Sequence, residues 1–273
     1  MPATNFNYAS YAGYESFAAA IIFVVAYIPL ACYYPFLWFK LRSGTVFTMI
    51  LFSQVRIVAF VIRAVMIKDE AAAETEGLFI ADQVLFSAGF LGLLLAAYEL
   101  VLAREARLSK TTNEKQTSTR SRRTIFHVAG MASVALAITA ATKATSDPDA
   151  ASTYRKASTI IFLVMAVFQS IQAIMLIRKE RSHPEEYAGT PMSNSVGVKH
   201  GALLLGAISA LCLVREVFYT ATFSDTAKAY NEAYWYPLSA LPEILIFSLF
   251  AAPGLIPAKV RDNKIPLLPS SSY

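Results

Sequence analysis

Seven stretches of about 20 mostly apolar residues dominate this chain, and each is long enough to cross the hydrocarbon layer of a bilayer as an α-helix. They fall at about 17–39, 44–67, 78–102, 124–142, 157–177, 200–222 and 234–256 of the 273 residues. A soluble core cannot hide so many blocks of that length. Only 16% of the residues are charged, against roughly 25% in soluble domains. A transmembrane barrel is excluded, because its strands alternate every second residue over only about 10 residues. The fold expected is therefore an all-α integral membrane bundle of seven transmembrane helices. Arg56 and Arg63 interrupt the second stretch, but 46–51 and 57–62 are strongly apolar on either side. The first stretch does not read as a cleavable signal peptide. Residues 1–16 hold no Lys or Arg, and the apolar run exceeds an h-region of about 7–15 residues. The expected division is an external tail at 1–16, the seven-helix domain at 17–256 and a cytoplasmic tail at 257–273.

The distribution of Lys and Arg orients the bundle. The N-terminal tail and the 2–3, 4–5 and 6–7 loops carry five of the 24 cations, whereas the other three loops and the C-terminal tail carry sixteen. The N-terminus is thus expected outside and the C-terminus in the cytoplasm. The 3–4 loop, 103–123, holds seven cations among Ser and Thr. It reads as a solvated topology signal that also favours anionic lipid, an attraction that phosphorylation of Ser118 or Ser121 would weaken. Cys32 and Cys212 fall at membrane depth as small apolar residues, with no disulfide framework.

Small residues recur every fourth position at Ala129, Ser133, Ala137 and Ala141, at Ala202, Gly206 and Ala210, and at Ala88 and Gly92. These stripes read as helix-packing faces. Pro29, Pro35 and Pro242 are expected to kink the first and last helices.

Seven ionisable residues lie within the apolar stretches: Arg56, Arg63, Asp82, Glu99, Arg215, Glu216 and Glu243. Each costs about 2.5–3.5 kcal/mol at a helix centre even on the lenient insertion scale. With about 1.5 Å of rise per residue, Arg63 and Asp82 sit roughly 6 Å below the outer end. Arg215 and Glu216 lie roughly 10 Å down, Glu243 roughly 13 Å and Arg56 roughly 16 Å. Glu99 is near the inner face, within reach of Arg104. The economical pairings are Asp82 with Arg63, and Glu243 with Arg56 or Arg215. Arg215 and Glu216 are adjacent and point about 100° apart, which makes them poor partners for each other. Tyr98, Gln54 and Gln83 are available for hydrogen bonds. Arg56, Arg63, Asp82, Arg215, Glu216 and Glu243 form either a network that fixes helix register or a polar cavity for an amphiphilic or anionic ligand.

No catalytic pattern accompanies these charges. The last helix has no Lys for a retinal Schiff base, and the sequence has no P-loop or dinucleotide fingerprint. Three histidines, His127, His183 and His200, are too few and too scattered for a metal hydrolase. A haem held by His127 and His200 is the weaker reading beside interfacial histidines. The expectation is a non-enzymatic protein without cofactor or metal.

The segment 211–257 carries Arg215 late in the sixth helix, then Glu232, Tyr236 and a Pro253–Gly254 pair. In this it resembles the fungal lipid-translocating exporter (Rta-like) family of seven-helix membrane proteins. It departs from that pattern at Ser239, where an Asp is expected, and at Tyr219, where a second Arg is expected. The resemblance implies a fungal origin and a membrane role, in a diverged relative of those exporters or in an uncharacterised fungal seven-helix family. The function expected is binding or moving an amphiphilic small molecule or lipid, in the plasma membrane rather than an internal one. Its partners would then be membrane lipids rather than nucleic acid. The alternative is a seven-helix receptor or sensor signalling through the 3–4 and 5–6 loops.

Overall fold

The computed structural model describes residues 6–111, 119–182, 195–223, 225, 228–229 and 231–257. Seven of its helices are long and apolar enough to cross a membrane. They are α1 (Phe17–Leu41), α2 (Gly44–Lys68), α3 (Glu76–Thr111), α4 (Thr119–Thr142), α5 (Pro148–Ser182), α6 (Gly201–Thr222) and α7 (Glu232–Phe250). The chain fits a multi-pass membrane protein. Consecutive helices pack side by side, and α3 also meets α5, α6 and α7. Burial follows: 61% of the most apolar window of α3 is inside the bundle, against 17% for α1. α3 is the central post and α1 a lipid-facing edge.

Several boundaries differ from the sequence reading. α3 runs nine residues beyond 102, and α5 starts nine residues before 157. Polar residues at these ends still satisfy helical backbone, so hydropathy stops short of the helix. Arg104, Arg107, Arg122 and Arg123 therefore sit on helices rather than in a solvated loop, while Lys115 and Ser118 lie outside the described residues. Arg155, assigned to the 4–5 loop, is on α5. The seventh helix ends at Phe250 and gives way to turns. The described part of the N-terminal tail is not free. Tyr8–Tyr11 forms one helical turn, and Tyr8 stacks on Phe79 of α3 with ring centroids 5.5 Å apart.

The small-residue stripes are only partly packing faces. Ser133 bonds with Ser158 of α5 (2.9 Å to its carbonyl), and Gly206 faces Ile177. Ala88 and Ala210 instead point outward. The register of each helix is set by its larger and charged neighbours, and these two alanines fall on the wrong side of it. α1 runs through Pro29 and Pro35 as one helix. α7 widens into a π turn, Tyr236–Ala240, just before Pro242. The Leu241 N–H reaches back five residues to the Tyr236 carbonyl. The missing N–H of Pro242 is absorbed in this wide turn, which sets Glu243 facing α2 and α6.

Candidate functional site

The intramembrane charges gather in two clusters. In the deeper one, Glu243 accepts from two arginines on different helices. Arg56 donates from Nη2 to its Oε1 at 2.8 Å and places Nε 2.7 Å from Oε2. Arg215 donates from Nε to Oε1 at 2.8 Å. Arg56 is 0% exposed and also donates to the Leu85 and Phe86 carbonyls of α3 at 3.0 and 2.9 Å. Its guanidinium fits because residue 89 is glycine: a Cβ there would stand 3.0 Å from it. Arg215 lies over the Phe90 ring at 3.8 Å and pairs with Glu216. That pair corrects the expectation that neighbours on a helix turn too far apart. Long side chains fold back across the angle between them when a buried carboxylate has no better partner.

The shallower cluster joins α2, α3 and the N-terminal segment. Arg63 donates to Asp82 Oδ2 at 3.2 Å. The Tyr14 hydroxyl donates to the same oxygen at 2.5 Å and accepts from Gln83 Nε2 at 3.0 Å and from Arg63 Nη2 at 3.4 Å. The Arg63 guanidinium is flanked by Trp235 at 3.9 Å, Tyr14 at 4.3 Å and Phe86 at 4.7 Å. This aromatic cage replaces part of its lost hydration. Arg63 Nε and Asp82 Oδ1 are buried without a hydrogen-bond partner among the described residues. Across both clusters three arginines meet three carboxylates, so no net charge is buried.

A cavity of about 120 Å³ opens beside these clusters, at the end of the bundle that carries the N-terminus. Arg63, Gln83, Arg155, Arg215 and Glu216 give it polar walls, while Ala137, Ala140, Phe86 and Phe162 give it apolar ones. Ala12, Tyr14, Glu232 and Trp235 also line it. It is smaller than the pockets of about 300–1,000 Å³ that enclose drug-sized ligands, and close to the roughly 150 Å³ that holds a benzene ring. It has room for a head group, with the rest of an amphiphile left in the lipid.

The structure brings all six sequence-selected residues into the clusters, and Arg63, Arg215 and Glu216 line the cavity. Glu99 lies apart at the opposite end. It pairs with Arg123 and sits 3.2 Å from His127, whereas Arg104 pairs with Glu180 and donates to the Gly197 and Val198 carbonyls. This replaces the expected Glu99–Arg104 contact, because both helix ends there are longer than the hydropathy suggests. Gln54 points outward, and the Tyr98 ring stacks on Phe126 with centroids 4.0 Å apart. Cys212 is buried and Cys32 exposed, both as free thiols. His183 lies outside the described residues. Sequence reasoning missed Tyr14, Arg155 and Trp235. Tyr14 and Arg155 were assigned to connecting segments, and no periodic signal marks a side chain that folds inward from there.

A family model described as a domain of unknown function (DUF7702) matches residues 15–226. The chain belongs to the DUF7702 family. No curated protein matches it, and no solved structure does. The DUF7702 match contains five of the six clustered charges and stops short of Glu243. It also stops short of Glu232, Tyr236 and Pro253, so of the residues behind the exporter resemblance only Arg215 lies inside it. Those later residues have structural work here. Glu232 accepts from the Glu15 and Ser16 N–H groups at 3.1 and 2.8 Å, and the Pro253 carbonyl accepts from Gly197 at 2.9 Å.

Proposed function

We propose that this protein is a non-enzymatic membrane protein that binds, and in binding helps to move, an amphiphilic small molecule or lipid. The cavity carries the reading: charged side chains of α2, α5 and α6 and alanines of α4 line one space between helices long and apolar enough to cross a membrane. Polar space within a bilayer is costly and marks a pathway or site by default. The family description names no activity, and the exporter resemblance supports the reading without adding to the geometry. With the N-terminus outside, as the cation bias favours, the cavity end faces the exterior, and the plasma membrane is the membrane proposed. No energy-coupling motif accompanies it, so movement would follow a gradient.

Two measurements test this proposal. An epitope at residue 3 is expected to be accessible in intact cells and one at residue 115 protected; the opposite labelling would reverse the topology. Ala137→Phe fills the cavity from α4 without touching a charge. Protein extracted with its native lipids is expected to lose a co-purifying amphiphile on this substitution, as read by native mass spectrometry. An identical set of bound molecules in both proteins would sink the cavity as a binding site.

A further inference from the structure

Ala12 and Tyr14 of the N-terminal segment line the cavity, and the partners of Tyr14 carry information about what the cavity accepts. Tyr14 comes from outside the bundle, yet its hydroxyl sits among the buried Arg63 and Asp82 and the half-buried Gln83 of α2 and α3. It makes one donation, to Asp82, and accepts from Gln83 and Arg63. Only a group that both donates and accepts fits this pole. A carboxylate has no proton for Asp82 and would meet it with like charge. An ammonium cannot accept from Arg63 or Gln83. Arg56, Arg63, Arg155 and Arg215 stand with Asp82, Glu216, Glu232 and Glu243 in the clusters and the cavity lining, so an ionic head would add an unpaired charge at membrane depth. A hydroxyl adds none. The two orphaned atoms beside it, Asp82 Oδ1 and Arg63 Nε, are again one acceptor and one donor.

We infer that Tyr14 occupies the position of a ligand's polar head, that the ligand is a neutral amphiphile bearing a hydroxyl, and that residues 6–16 form a lid displaced on binding. The inference rests on the cavity reading above and narrows it. The lid packs Tyr8, Ala9, Ala12 and Tyr14 against Met66, Ala73 and Phe79, and two polar latches add to that contact. One is the Tyr14 hydroxyl itself. The other is Glu232, which holds the Glu15 and Ser16 amides where the lid enters α1. Gln83, Arg63 and Glu232 all line the cavity. Asp82 does not line it, so a hydroxyl arriving beside Arg63 and Gln83 reaches Asp82 only as Tyr14 gives up its place. The volume of about 120 Å³ admits the hydroxyl and the first atoms of its apolar body, which continues into the bilayer.

The test uses the full-length protein in lipid nanodiscs with three diazirine photoprobes: a long-chain alcohol, a sterol and the fatty acid matching the alcohol. Cross-linked peptides are mapped by mass spectrometry. In the unaltered protein the cavity walls on α3, α4 and α6 are expected to be labelled by a hydroxyl probe in preference to the acid. Comparison of the alcohol and the sterol identifies which hydroxyl source is used. Tyr14→Ala empties the pole and Glu232→Gln loosens the second latch without touching it. Each is expected to raise hydroxyl-probe labelling, Tyr14→Ala by roughly tenfold, the change for one competing hydrogen bond to a charged group. Cys212, free and 0% exposed, serves as the folding reporter in a Cys32→Ser background, because its thiol reacts only if the bundle opens. Equal or stronger labelling of the cavity by the acid in the unaltered protein overturns the ligand class while leaving the cavity as a binding site. Unchanged labelling in both variants with Cys212 silent overturns the lid. Absence of cavity labelling by every probe removes this inference and the binding proposal together.

Discussion

Glu243→Ala is expected to be the most damaging single substitution in the chain, because it strands two arginines at once. Losing one partner of a buried pair costs about 3–5 kcal/mol, and here both Arg56 and Arg215 lose their shared carboxylate. Arg215 retains Glu216, but Arg56 keeps only the two carbonyls of α3. Rescue should therefore depend on which arginine is removed with it. In Arg56→Met/Glu243→Gln the remaining Arg215–Glu216 pair is balanced, and much of the folded protein should return. In Arg215→Met/Glu243→Gln, Arg56 and Glu216 are left without their ion-pair partners, and little should return. The sequence alone suggests that either arginine is an equivalent partner; Glu216, which pairs with Arg215 and not with Arg56, breaks that equivalence. Monodisperse yield in mild detergent and a double-mutant cycle on thermal stability would measure the difference. Equal rescue by the two double variants would show that Glu216 does not hold Arg215 in place of Glu243.

Substitutions at Gly89 are expected to disturb the same charge cluster, although nothing in the sequence marks that residue. An added Cβ would stand 3.0 Å from both the Cζ and Nη1 of Arg56, tighter than ordinary contact. The guanidinium cannot retreat freely, since it is tied to Glu243 and to the Leu85 and Phe86 carbonyls. Gly89→Ala should cost about 1–3 kcal/mol, the usual range for overpacking, and Gly89→Leu should abolish folding. The penalty of Gly89→Ala should shrink in an Arg56→Met background, where the flexible thioether can move aside. By contrast Gly92→Ala, whose Cβ would stand 3.6 Å from Thr48 Cγ2, should be nearly neutral. A Gly89→Ala protein as stable as the parent would mean that Arg56 does not lie against α3 as described.

Much of this architecture is legible along the chain because a bilayer simplifies the physics. Backbone polar groups must be satisfied within each crossing segment, so length and apolarity together identify helices without any knowledge of their packing. The seven stretches, the Arg63–Asp82 pair and the contacts of Glu243 follow from hydropathy, rise per residue and the cost of a buried charge. The helix ends do not follow, because amphipathic turns beyond the apolar layer remain helical for reasons of packing. Ala88 and Ala210 show the same limit on a smaller scale. A four-residue spacing marks a face, but does not say whether that face meets another helix or lipid.

What the chain determined by itself is therefore the number of crossings, their order and the need of each intramembrane charge for a partner. Only the tertiary structure decided that Glu243 serves two arginines and that Arg215 and Glu216 close on each other. It alone placed Arg155 on the cavity wall and brought Tyr14 inward to Asp82. The reason is range. Hydropathy and helical periodicity act over one segment and are written in consecutive residues. Tyr14 and Asp82 are 68 positions apart, and Arg56 and Glu243 are 187. Their meeting depends on how α3 stands among its neighbours, on the missing side chain at Gly89 and on the wide turn before Pro242.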